Sequence, residues 1–167
     1  MLGDILIVVM VIGCGGVLLG TVGWLIETID TKSLSKLEVY QLSIPKSKFI
    51  NMINDWCYAN IKSNNPKPSI SVSYYKNKNM AGVYYSSNNS IIVFVNNSPK
   101  LIDIVNVVCH EYNHSIQRAK GFDKLYKRYT KEKGYWNNPF ERTSRAIAER
   151  YQYQCLQDLL THNHILG

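Results

Sequence analysis

The sequence predicts an α+β domain behind a single N-terminal transmembrane helix. Three observations carry that expectation. Residues 5–26 contain no charge. Short segments between residues 37 and 95 alternate apolar and polar side chains. Longer stretches after residue 98 repeat apolar residues at intervals of three and four, the spacing of a helix face.

The first segment, ILIVVMVIGCGGVLLGTVGWLI, is 22 residues long, and about 20 apolar residues cross a bilayer core. A cleaved signal peptide would carry basic residues ahead of its apolar stretch, and only Asp4 stands there. Val11-Ile12-Gly13-Cys14 resembles a bacterial lipobox with Cys14 as the lipid site, but small and apolar residues continue past it. A buried core helix would show a polar stripe, and this segment has none. The segment therefore reads as a transmembrane anchor, with residues 1–30 as anchor and flank and 31–167 as the folded domain. Lys32, Lys36, Lys46 and Lys48 follow the span and no Lys or Arg precedes it. The positive-inside rule then places the domain on the cytoplasmic side.

The domain holds all 19 Lys and Arg of the chain, a balance that suits an anionic partner or surface. Its cysteines, Cys57, Cys109 and Cys155, are an odd set without a CxxC pair. They read as buried, reduced thiols, and their spacing argues against a cysteine zinc site.

Taken in order, residues 27–36 read as a polar linker and 37–43 (LEVYQLS) as a first strand. A helix is expected over 46–61, with Phe49, Ile50, Ile53, Trp56 and Cys57 toward the core. Ser63–Pro68 is a loop by its turn residues. Ser69–Tyr75 alternates Ile70, Val72 and Tyr74 on one face. Gly82–Tyr85 and Ile91–Val95 flank the polar tip Ser86–Ser90 and read as a hairpin, with Ile91–Val95 central or well covered. Together these strands predict a small, mainly antiparallel sheet of three or four strands. Ser98-Pro99 supplies the N-cap and first-turn proline of a helix that runs to about Ala119 and stops at Gly121. A basic segment spans 122–133. Asn138-Pro139 opens a last helix that runs to about Leu160.

The chemistry lies in His110-Glu111-Tyr112-Asn113-His114, the HExxH pattern. Residues four apart share a helix face, so both imidazoles can point at one ion. Glu111 falls beside that ion, where a carboxylate can take a proton from a water the metal activates. A catalytic zinc takes three protein ligands and keeps one position open. Glu141 is the best third ligand, although Asn138 and Glu141 also have the spacing of a capping box. Glu149 is the second candidate, about 80° further around the same helix, and Asp123 a weaker one. His162 and His164 lie near the C-terminus and read as exposed. A donor for a developing oxyanion could come from Tyr126, Tyr129, Tyr135 or Tyr151, and the sequence does not choose. Residues 82–95 can serve as a shelf for an extended peptide.

Strands, then an HExxH helix, then a helix with Glu141 in a Glu-x-x-x-x-Ala setting resemble the gluzincin metallopeptidases. The pattern looks most like their small members, the ImmA/IrrE-like peptidases of bacteria and phages, over about residues 69–155. His114-Ser115-Ile116-Gln117 also resembles the HxxQ extension of small zincins, while Asn113 stands where many members have Gly. The resemblance implies a zincin-like fold, Zn2+ held by His110, His114 and Glu141, and Glu111 as general base for peptide-bond hydrolysis. The competing expectation is a catalytically inactive, membrane-tethered binding module on the same scaffold. The run 118–133 would then contact anionic lipid or a protein partner; no nucleic-acid motif accompanies it.

Overall fold

The computed structural model describes residues 30–119, 121–163 and 165–167. The apolar run 5–26, with Cys14, lies outside them, as do Lys120 and His164. Among the described residues no helix is long and apolar enough to cross a membrane.

Among the described residues the architecture is α+β: a three-stranded mixed sheet and five α-helices. A short helix α1 (Thr31–Leu34) falls where a linker was expected, and it buries Leu34 completely. The expected strand 37–43 is instead a 3-10 turn over Val39–Gln41, flanked by single-residue bridges Glu38–Lys100 and Leu42–Leu166. The cause is local. Gln41 Oε1 accepts the Glu38 backbone N–H at 2.7 Å, and the Glu38 side chain accepts in return, so the segment closes on itself rather than extending. Helix α2 (Lys46–Asn60) buries Phe49, Ile50, Ile53, Trp56 and Cys57 as the spacing requires.

Strands β1 (Ser69–Ser73), β2 (Gly82–Tyr85) and β3 (Ser90–Phe94) form the sheet in the order β1-β3-β2. The hairpin β2–β3 is antiparallel and β3 is central, as its apolar run predicts. The expectation of a mainly antiparallel sheet is corrected at β1, which pairs with β3 in parallel. The chain leaving β1 crosses the end of β3 before it enters β2. Two asparagines after β3 hold that crossing: Asn96 Nδ2 donates to Tyr74 O, and Asn97 Nδ2 donates to Asn77 O and Met80 O. Tyr74 belongs to this crossing and is exposed, so it does not continue the strand face.

Helix α3 (Leu101–Gln117) is central and packs on α2, α5, β2 and β3. It starts at Leu101, not at Pro99, because residues 99–101 are engaged with the chain before α2. Pro99 O accepts the Val39 N–H at 2.8 Å, and Leu101 N–H donates to Leu37 O at 2.9 Å. Helix α4 (Phe122–Lys133) matches the basic segment, and α5 (Pro139–Asn163) runs for 25 residues, about 37 Å. Helices α3 and α5 lie antiparallel, since Asn106 Nδ2 donates to Gln152 Oε1 at 2.9 Å and Asn113 Nδ2 to Ser144 Oγ at 3.0 Å. The C-terminal turn of α3 is thereby set against the N-terminal turn of α5. Cys57, Cys109 and Cys155 are free and buried where α2, α3 and α5 meet, as expected of structural thiols.

Candidate metal centre

The antiparallel pairing of α3 and α5 brings His110, His114 and Glu141 together. His110 Nε2 and His114 Nε2 are 3.2 Å apart. Glu141 Oε2 lies 3.2 Å from His110 Nε2, and Glu141 Oε1 lies 3.2 Å from His114 Nε2. Three donors at the corners of a tetrahedron are separated by about 1.6 bond lengths. Edges of 3.2 Å thus enclose a centre at bonds of about 2.0 Å, the length of metal–imidazole and metal–carboxylate bonds. Two further observations fit an ion at this point. Two imidazole nitrogens and a carboxylate converge with too few protons to satisfy one another. Glu141 Oε2, on a residue only 2% exposed, has no directed hydrogen bond. The three residues can hold a metal ion.

Neighbouring groups set the orientation of the ligands. Gln117 Nε2 donates to Phe140 O at 3.0 Å, which turns Gln117 Oε1 toward His114 Nδ1 at 2.9 Å. Ser144 Oγ lies 3.3 Å from the same nitrogen. Two oxygens at Nδ1 favour the proton there, which would leave the Nε2 lone pair free for a metal ion. Tyr126 Oη donates to Glu141 Oε1 at 2.5 Å. Asn138 is fully buried; its Oδ1 caps the Phe140 N–H at 3.0 Å and its Nδ2 donates to Thr130 Oγ1 at 2.9 Å. Asn138 therefore caps α5 without Glu141, whose carboxylate faces the histidines and closes no capping box.

Burial and neighbouring charges shift the ionisable groups of the site. Burial works to raise the Glu141 carboxyl, but contacts from His110, His114 and Tyr126 outweigh it and hold the group well below the usual carboxylate range. Burial works to lower His114, and the Glu141 contact with the charge of Glu111 reverses the sign, so its imidazole is raised. Burial raises Glu111, against the lowering influence of His114 and His110 and a hydrogen bond from the Tyr84 backbone N–H. Burial, then Glu141, pushes the Tyr126 and Tyr135 phenols far up, so both stay neutral donors.

No family model, curated protein or solved structure matches the chain. The site opens into a cleft of about 320 Å³ between the β2 edge and α4, lined by Glu111 and, among others, Met80, Val83, Phe122, Tyr126 and Tyr135. Glu149 is exposed and apart from the cluster. Asp123 is engaged instead by Ser86 Oγ at 2.7 and 2.8 Å, a link from the hairpin tip to α4. His162 is exposed on Asp158 O, and His164 lies outside the described residues. Tyr151 packs on Trp56 and Tyr129 on Phe140, which leaves Tyr126 and Tyr135 at the cleft. No sequence motif marks the contact of Asn113 with Ser144, which joins distant segments beside His114.

Proposed function

We propose that the chain is a zincin-type, gluzincin-like zinc metallopeptidase, anchored in a membrane by residues 5–26 with its domain on the cytoplasmic side. The observation that carries this reading is the triangle of His110, His114 and Glu141 donors with 3.2 Å edges, open to a cleft that Glu111 lines. Two imidazoles and one carboxylate are the donor set of a hydrolytic zinc. Bound there, the ion would supply Lewis-acid activation of a water and of the substrate carbonyl.

The chain's own groups do the rest. His110 and His114 present Nε2 from consecutive turns of α3, and Glu141 completes the set from α5. Glu111 accepts the proton of the attacking water and returns it to the leaving amine. The cleft beside β2 offers an extended peptide a place next to the site. Tyr135, at the cleft and partly exposed, is placed to donate to a developing oxyanion. The outward face of α4 carries Lys124, Arg128 and Lys131 within about 60° of arc, opposite Phe122 and Tyr126, while Lys127 stands at the rim of the cleft. That stripe favours contact with anionic lipid, in an active enzyme or in an inactive module alike.

The test uses the full chain in detergent. Zinc content is measured, then chelator-sensitive cleavage of an unfolded protein substrate. Glu111→Gln should keep the metal and lose hydrolysis, and His110→Ala should lose both. A Glu111→Gln variant that cleaves at the normal rate, or a wild-type chain that binds no divalent cation, would overturn the proposal. A zinc-loaded wild-type chain without cleavage would favour the inactive module.

A further inference from the structure

We infer that Gly82 and the backbone N–H of Tyr84 position the Glu111 carboxylate, so that the edge strand sets the geometry of the general base. The inference rests on the reading of Glu111 given above.

Side chains of one strand alternate, and so do its backbone edges, so Gly82 and Tyr84 share the side of β2 turned away from β3. Ala81 O accepts the Phe94 N–H at 2.8 Å, and Val83 stands opposite Ile92. The Tyr84 N–H points the other way, toward the Glu111 carboxylate. Two residues earlier the strand comes still closer to α3. A Cβ on Gly82 would lie 2.7 Å from Val107 Cγ1, 2.9 Å from Glu111 Cγ and 3.3 Å from Glu111 Oε1. The first two are shorter than carbon atoms tolerate, and the third is tight.

The need for glycine here is one of space alone. Among the described glycines only Gly121 and Gly134 have positive φ, so alanine at 82 meets no backbone strain. Val107 and Glu111 are one turn apart on α3, and the strand backbone lies across that turn. Glu111 is thus held at its stem by the glycine surface and at its head by the Tyr84 N–H. A methyl at 82 has two ways out: the strand lifts and takes the Tyr84 donor with it, or the Glu111 side chain rotates away. Either displaces the carboxylate. The three metal donors, all on α3 and α5, stay where they are.

Gly82→Ala in the full chain tests this. Zinc stoichiometry and competition with a chelator should match wild type. The kcat should fall about ten- to a hundredfold, the cost of misplacing a reacting group by about 1 Å, with KM little changed. Exchange of the Tyr84 amide hydrogen should speed up in the variant, with metal or without it. In a Glu111→Gln background, Gly82→Ala should cause no further loss. An unchanged kcat in an active protein, or a Tyr84 amide unprotected in wild type, overturns the inference. So does full restoration of kcat by adding Val107→Ala, which would assign the effect to strand–helix packing. If wild type binds zinc but cleaves nothing, the hydrolase reading fails on its own, and Tyr84 exchange still decides whether the clamp exists.

Discussion

Tyr126→Phe removes one hydroxyl and little else. The ring is fixed by neighbours: its centroid lies 5.8 Å from Phe122, 6.2 Å from Phe140 and 6.0 Å from His114. The lost hydroxyl donates to Glu141 Oε1 at 2.5 Å. A hydrogen bond to a charged acceptor is worth about 1.5–3 kcal/mol. Without it the carboxylate can rotate, and Oε1 loses the donor that fixes it 3.2 Å from His114 Nε2. Loss of such an outer partner weakens metal binding about 10–100-fold, or about 1.4–2.8 kcal/mol, so the two routes to the number agree. The assay is competition between protein and a chromogenic zinc chelator, for wild type and Tyr126→Phe in parallel. Tyr135→Phe is the comparison; Tyr135 also contacts Glu141 but is 47% exposed, so its effect on affinity should be smaller. If Tyr126→Phe binds zinc as tightly as wild type, the hydroxyl does not orient Glu141 and the reasoning is refuted. A fall in kcat alone would move Tyr126 from the ligand to the substrate.

Gln117→Ala should also weaken zinc binding, by about tenfold, because the His114 Nδ1 proton loses its 2.9 Å acceptor; the same competition assay measures it. Asn138→Ala removes the cap on Phe140 and should cost about 1–2 kcal/mol by chemical denaturation. Stripping the metal should lower the melting temperature. At free zinc a hundredfold above Kd the linkage is about 2.7 kcal/mol, or roughly 5–10 °C for a domain of this size, and a chelator that leaves the melting curve unmoved would contradict the site. Neutralising Lys124, Arg128 and Lys131 together to Gln should reduce contact of α4 with phosphatidylserine-containing vesicles, by about 1 kcal/mol per cation. Fluorescence quenching by headgroup-labelled lipid at Trp136, just past α4 and 71% exposed, reads that contact in the reconstituted chain.

The parts of the fold that were legible in the sequence are those fixed within a few residues of themselves. Helix α2 follows from Phe49, Ile50, Ile53, Trp56 and Cys57, a spacing that only a helix converts into one buried face. The hairpin β2–β3 follows from two apolar runs around Ser86–Ser90. His110 and His114 are brought together by the pitch of α3 alone. Where the reading failed, a distant partner or an unexpected local turn decided the outcome. The 37–43 segment has the composition of a strand, yet Glu38 and Gln41 close a turn on each other. The start of α3 moved because Val39 and Leu37 claim the backbone of residues 99–101.

Glu141 shows why the candidate site was only half legible. Its spacing from Asn138 allows either a capping box or a ligand, and nothing within the segment decides between them. The decision is made 27 residues away, where the last two turns of α3 present two Nε2 atoms to the first turn of α5. Once Asn138 Oδ1 has capped the Phe140 N–H, Glu141 is free to face the histidines, and Tyr126 on α4 fixes the rotamer that does so. One buried carboxylate thus depends on three helices, and the same applies to Glu111, which depends on a strand that lacks a side chain at residue 82. A motif can state which residue types meet. Whether they meet at bonding distance depends on how closely backbones from separate segments approach, and glycine, asparagine and serine regulate that approach without any periodic signal.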